Sequence, residues 1–135
     1  MYLLDTNVIS ELRKAKPHGA VLTWLQAQRE VDLFISAVTL GEIQRGIEMT
    51  RDQNPERAQQ IEQWADRLAV AHQILPMDAR IFRQWARLMH HQSDALSEDA
   101  MIAATALTHQ FTVVTRNVRD FVRFNVPVRN PFQLV

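Results

Sequence analysis

Short apolar runs alternate with helix-patterned segments along the whole chain, and this alternation limits the fold more than any other feature of the sequence. Met1-Tyr-Leu-Leu4, Leu33-Phe-Ile-Ser36, His72-Gln-Ile-Leu75 and Phe111-Thr-Val-Val-Thr115 are each too short for a helix and read as strands. Val126-Pro-Val128 reads as a short edge strand, because proline cannot donate to a central ladder. Strand followed by helix, repeated, predicts a parallel sheet with helices on both faces, since each crossover must return the chain to the same end of the sheet.

The helix starts are marked by side chains that can accept from the first free amides. Asp5 or Thr6 can cap a helix through Val8-Ile-Ser-Glu-Leu12, and Pro17 suits the first turn of the next, with Val21, Leu22, Trp24 and Leu25 on one face. Ser36 or Thr39 begins a helix that runs to about Arg51. Asn54-Pro55, Asp78 and Ser97 open three more. In the Asp78 helix, Ile81, Phe82, Trp85, Leu88 and Met89 are expected to face inward. Asn117 to Phe121 reads as a turn and short helix. No repeat or linker interrupts the pattern, so residues 1–135 are expected to form one domain.

Composition removes several function classes. The chain has no Cys, which excludes disulfides and thiolate metal sites and fits a cytoplasmic protein. No apolar run reaches the ~18 residues of a membrane span, and the opening run lacks the basic flank of a signal peptide. Net charge is zero, which argues against binding nucleic acid by bulk charge alone. The cations are nevertheless almost all Arg, the residue suited to bidentate phosphate contact, and four of them follow Met101.

The acids carry the functional argument. Helices in a parallel α/β fold run opposite to the strands, so each begins near the carboxyl edge of the sheet. Asp5 ends the first strand, at that edge. Glu42 lies early in the helix after the second strand, and Asp99 in the first turn of the helix leading to the fourth. Asn117 and Asp120 follow the end of the fourth strand. Topology alone therefore gathers these residues. Carboxylates so gathered repel one another, and a bound divalent cation removes that cost. An all-oxygen donor set without Cys or convergent His favours Mg²⁺ or Mn²⁺, which commonly serve phosphate-ester chemistry.

Each acid also has a plainer reading: Asp5 as a helix cap, Glu42 as a solvated helix residue, Asp99 as a complement to the helix dipole, Asp120 as a turn residue. Their joint placement favours the site. Glu11, Glu48, Asp94 and Glu98 are assigned to the surface. Gly41-Glu-Ile-Gln-Arg-Gly46 has the glycine spacing of a phosphate loop but lacks the following Lys and Ser or Thr. His90 and His91, neighbours on a helix, are expected to point apart. Trp24, Trp64 and Trp85 fall on helical stripes and are assigned to packing or partner contacts.

At this point the chain resembles a known family. Leu4-Asp5-Thr6-Asn7 resembles the opening motif of PIN domains, and Ser36-x-Val38-Thr39-x-x-Glu42-Ile43-x-x-Gly46 their second. Asp99-Ala-Met-Ile-Ala-Ala-Thr-Ala106 resembles the third. Val114-Thr115-Arg116-Asn117-x-x-Asp120-Phe121, followed by Asn130-Pro131-Phe132, resembles the closing segment. Four motifs in order cover nearly the whole chain, and the details are most similar to VapC toxins of the FitB-like branch. One departure is the loop Gln92-Ser-Asp-Ala-Leu96, which has no Gly where many relatives carry one.

The resemblance implies a three-layer α/β/α sandwich with a five-stranded parallel sheet. It implies a Mg²⁺- or Mn²⁺-dependent endoribonuclease, the toxin of a type II toxin–antitoxin pair. Its RNA products would carry a 5′-phosphate and a 3′-hydroxyl. Asp5, Glu42 and Asp99 match the acidic triad that holds metal, and Asp120 the fourth catalytic acid. Thr6, Asn7, Thr115 and Asn117 match supporting polar positions, and Arg116 is a candidate RNA contact. The implied partners are an RNA substrate and a VapB-type antitoxin, with operator DNA reached only through the antitoxin. Apolar helix faces near Trp24, Ile47, Trp64 and Trp85 point further to a homodimer and a groove for a partner helix. The rival reading is a catalytically silent PIN-like scaffold that binds antitoxin and operator DNA; retention of all four acids favours the enzyme.

Overall fold

The computed structural model describes residues 1–133. Five strands, β1 (Tyr2–Leu4), β2 (Leu33–Ser36), β3 (Gln73–Leu75), β4 (Thr112–Val114) and β5 (Val128–Arg129), form one sheet in the order β3-β2-β1-β4-β5. Every pairing is parallel. The seven α-helices among the described residues are α1 (Thr6–Glu11), α2 (Gly19–Gln26), α3 (Ala37–Arg51), α4 (Pro55–Ala71), α5 (Ala79–Met89), α6 (Ser97–His109) and α7 (Val118–Val122). The sheet is sandwiched between helices, giving the three layers expected.

The two-residue period of a strand divides the core into two. Leu4, Ile35 and Val114 point to one face, where they pack with Val8, Ile9, Val21, Ile47 and Leu68 from α1 to α4. Leu3 and Val113 point to the other, against Ala100, Ile102 and Ala103 of α6 and Phe121 and Phe124 at α7. Each large aliphatic side chain buried this way contributes roughly 1.5–3 kcal/mol relative to exposure. Alanines on α6 let that helix lie close to the sheet, which brings its first turn to the carboxyl edge.

The caps read from the sequence are in place. Asp5 Oδ1 accepts from Thr6 N (2.9 Å), Ser36 Oγ from Val38 N (3.1 Å), Asn54 Oδ1 from Arg57 N (3.2 Å) and Asp78 Oδ1 from Ile81 N (2.9 Å). Two helix starts differ. His18, not Pro17, stands at the α2 cap, and Pro17 lies just before it. Ser97 is the first residue of α6, following a 3₁₀ turn at Asp94–Leu96 whose first amides are served by Ser93 Oγ.

Other expectations are corrected. β5 forms at Val128–Arg129 rather than Val126–Val128: Val126 is buried in the core and the Pro127 carbonyl accepts from Val113 N (2.9 Å). Phe82 is 44% exposed, because the inward face of α5 is already filled by Ile81, Trp85 and Leu88. Ile47 is 1% exposed and so is core, not a docking surface. His90 and His91 do not point apart: α5 ends at Met89, His91 takes φ 67°, and the two rings lie 3.9 Å apart between centroids.

Candidate active site

Asp5 is 5% exposed, and its position follows from the sheet. Its amide completes the β1–β4 pairing by donating to Val114 O (2.9 Å), so its side chain emerges where two central strands end. One carboxylate oxygen caps α1. The other, Oδ2, accepts from Thr115 Oγ1 (2.8 Å) and Asn7 Nδ2 (3.2 Å). Asp5 is therefore both the helix cap and a member of the acidic cluster.

The supporting polar residues form a closed set around it. Asn7 Nδ2 also donates to Thr115 Oγ1 (3.1 Å), and Asn7 Oδ1 accepts from Arg116 N (3.1 Å). Thr115 Oγ1 in turn accepts from Asn117 N (3.0 Å). Thr115 is fully buried, and its one hydroxyl ties Asp5, Asn7 and the Asn117 amide together. On the other side, Thr6 Oγ1 reaches Glu42 Oε1 (3.3 Å) and Thr39 Oγ1 (3.4 Å), long contacts that link α1 to α3. The Arg116 guanidinium lies 3.8 Å over the Phe132 ring, and His18 meets the same ring edge-on.

Charge couples the acids across these elements. Burial raises the Asp5 carboxyl, partly offset by the Thr115 and Thr6 hydrogen bonds. Burial, the charges of Glu98 and Asp5 and a hydrogen bond with Glu98 push Glu42 up to about 7. Burial and the charges of Asp5, Asp120 and Glu98 push Asp99 to about 6, while Arg123 pulls it down. Asp120, at the start of α7, acts on Asp99, with Arg123 Nη2 3.9 Å from its own carboxylate. The structure thus brings Asp5, Glu42, Asp99 and Asp120 to one edge, along with Asn117, Thr115, Asn7 and Thr6.

Of the acids assigned to the surface, Glu98 stays partly exposed and Glu11 is buried. Glu98 belongs to this edge, facing Glu42 and paired with Arg45 (3.2 Å). Its position next to Asp99 in the first turn of α6 was the available signal. Glu11 is 5% exposed: its Oε1 accepts from His18 N (2.9 Å) and its Oε2 from Lys14 Nζ. Nothing in the sequence marks that return of the chain onto α1. Glu48 and Asp94 are exposed as expected.

The donor set suits a hard divalent cation: all oxygen, partly buried, with a mutual repulsion that Arg45 and Arg123 offset only in part. Among the described residues, no three His, Asp or Glu side chains are grouped to hold an ion directly as they stand. No helix among the described residues is long and apolar enough to cross a membrane.

Known proteins resemble this chain along nearly its whole length. The PIN domain family matches residues 2–126. VapC ribonuclease Y4jK of Sinorhizobium fredii is 36% identical over 144 residues, covering 98% of this chain and 99% of the relative. Toxin FitB of Neisseria gonorrhoeae is 33% identical over 138 residues, with 98% and 99% covered. The crystal structure of FitAcB from Neisseria gonorrhoeae superposes with a TM-score of 0.87 at 32% identity, covering 99% of this chain and 100% of that one.

Proposed function

The chain belongs to the PIN domain family, and on that premise we propose that it is a divalent-metal-dependent endoribonuclease, the toxin of a VapBC-like toxin–antitoxin pair, acting in the cytoplasm. The observation that carries the reading is Asp5, a buried carboxylate held by Thr115 and Asn7, whose charge reaches both Glu42 and Asp99. A purely structural cap needs none of that coupling.

Asp5, Glu42 and Asp99 would hold Mg²⁺ or Mn²⁺, directly or through water, with Asp120 adjusting Asp99. When bound, the ion supplies positive charge to a scissile phosphodiester and lowers the pKa of a water. The chain's own residues do the rest. Thr115 and Asn7 fix the Asp5 carboxylate so that it need not reorganise. Thr6 orients Glu42. Arg116, exposed beside the cluster and braced by Phe132, contacts the RNA backbone. A VapB-type antitoxin neutralises the enzyme and carries the contact with operator DNA. The protein acts as a homodimer, alone or with its antitoxin.

The test is cleavage of total RNA by antitoxin-free protein with Mn²⁺, with EDTA, and with Asp5→Asn. Asn caps a helix as well as Asp does, so the variant should fold. Cleavage is expected to fall roughly 100-fold, the equivalent of about 3 kcal/mol of lost charge stabilisation. Fragmentation that survives both EDTA and Asp5→Asn would overturn the proposal.

A further inference from the structure

The acidic edge has a basic counterpart that the site described above does not use. A groove of about 660 Å³ lies between the turn after α1 and one face of α4. Arg13, Lys14, Arg57 and Arg67 line it, Ile61 and Trp64 form its apolar part, and no acidic side chain lines it among the described residues. Positions 57, 61, 64 and 67 recur at helical spacing, so the α4 contribution is a single face. That face runs roughly 15 Å from Arg57 to Arg67 at 1.5 Å per residue.

The charge here is unspent. Arg13, Arg57 and Arg67 are exposed and have no ion-pair partner among the described residues, whereas Lys14 is engaged by Glu11. In a chain of zero net charge, the other three cations of the groove must be balanced elsewhere, and several of the acids gather at the carboxyl edge. The two regions lie at opposite ends of α1. Asp5 caps α1 and Arg13 follows its end, roughly 12 Å of helix and turn away. Arg116 lies between them: its amide is held by Asn7, and its charge is felt at Glu11.

We propose that this groove binds the sugar–phosphate backbone of a single RNA strand leading away from the acidic edge, with phosphates on Arg13, Arg57 and Arg67 and bases against Ile61 and Trp64. Cations interleaved with apolar and aromatic side chains are what a flexible strand requires, and they suit neither a rigid duplex nor an apolar helix. The inference rests on the nuclease reading and adds where the substrate extends beyond the scissile bond.

The probe is a fluorescein-labelled 16-nucleotide oligouridylate, bound in Mg²⁺ by Asp5→Asn protein so that no cleavage intervenes. Anisotropy is read across a salt series. Replacing Arg13, Arg57 and Arg67 together by Gln should weaken binding about tenfold or more and reduce the slope of log K against log salt by about 2, three phosphates at about 0.7 each. Replacing Arg80, Arg83 and Arg87 on α5 removes the same net charge and should change neither by comparison. Melting curves check folding, and Arg67→Gln alone should lower the slope by about 0.7 if the triple variant is unstable.

Equal losses in both sets, or none in the groove set, overturn the groove. So does a groove variant that binds RNA normally but loses a decaglutamate peptide bound by the parent, since the groove is then a protein site. Total RNA cleavage by the undisabled enzyme is run alongside. If it cleaves while the groove variant binds as the parent does, only the groove is wrong. If nothing cleaves or binds RNA, the nuclease reading itself fails.

Discussion

Thr115 Oγ1 donates to Asp5 Oδ2 at 2.8 Å, joining residues 110 positions apart at the ends of two adjacent strands. The same hydroxyl accepts from Asn7 and from the Asn117 amide. Thr115→Val keeps the volume and removes the hydroxyl. It removes a donor to Asp5 Oδ2 and an acceptor for Asn7 and the Asn117 amide, a cost of about 1–3 kcal/mol. Urea denaturation should show that loss, and RNA cleavage should fall about tenfold as Asp5 gains freedom. Unchanged activity in a folded Thr115→Val protein would remove Thr115 from the site.

The raised acids predict how stability changes with pH in the absence of metal. Glu42 rises from 4.5 to about 7 and Asp99 from 3.8 to about 6 on folding. Each binds its proton more tightly folded than unfolded. Their stabilisation is therefore complete below about pH 4 and is lost as pH rises through 6 and 7. Both are half-exposed, so after discounting for solvent screening the effect is about 1 kcal/mol, or about 4 °C in Tm. Melting in EDTA should fall between pH 5 and pH 8, and the Glu42→Gln, Asp99→Asn double variant should flatten the fall. Added Mg²⁺ should raise Tm more at pH 8 than at pH 5. A larger rise at pH 5 would contradict a carboxylate metal site.

Glu11 clamps the turn after α1 by accepting from the His18 amide and from Lys14. Glu11→Ala should cost about 1–3 kcal/mol and speed hydrogen exchange at the His18 amide by at least about tenfold. Exchange at His18 no faster than in the parent would mean the turn is held by its other contacts.

The expected homodimer has one exposed aromatic within reach. Phe82 stands out from α5, 6.3 Å from the Trp85 ring between centroids. Phe82→Arg should shift sedimentation from dimer to monomer and leave Tm within about 2 °C, as surface substitutions usually do. A dimer that survives the substitution would move the interface off this face.

Much of this molecule was legible in the residues. Helix starts at Asp5, Ser36, Asn54 and Asp78 carry a polar side chain whose reach is local, so the sequence alone places them. The convergence of Asp5, Glu42, Asp99 and Asp120 followed from the direction of helices in a parallel sheet. What failed depended on longer or subtler geometry. Glu11 is buried because the chain folds back at His18, seven residues on, with no periodic signal. Phe82 faces out because its neighbours fill the available width of core. The sequence pattern puts His90 and His91 on a helix, but α5 ends at Met89 and His91 takes the left-handed conformation more often occupied by glycine. β5 slid by two residues because Val126 fills the core while the Pro127 carbonyl still pairs with Val113.

The strand order has a consequence for how the protein is made. β1 precedes the other four described strands in the chain, yet it lies at the centre of the sheet, and one of its two neighbours is β4. A ribosome-bound chain that has not yet released Thr112–Thr115 has no second wall for β1 and no hydroxyl for Asp5. Folding must wait for contacts that span most of the sequence, which makes it slow. A nuclease built this way is silent while β4 is still inside the ribosome. That interval is time in which an antitoxin already present can meet it.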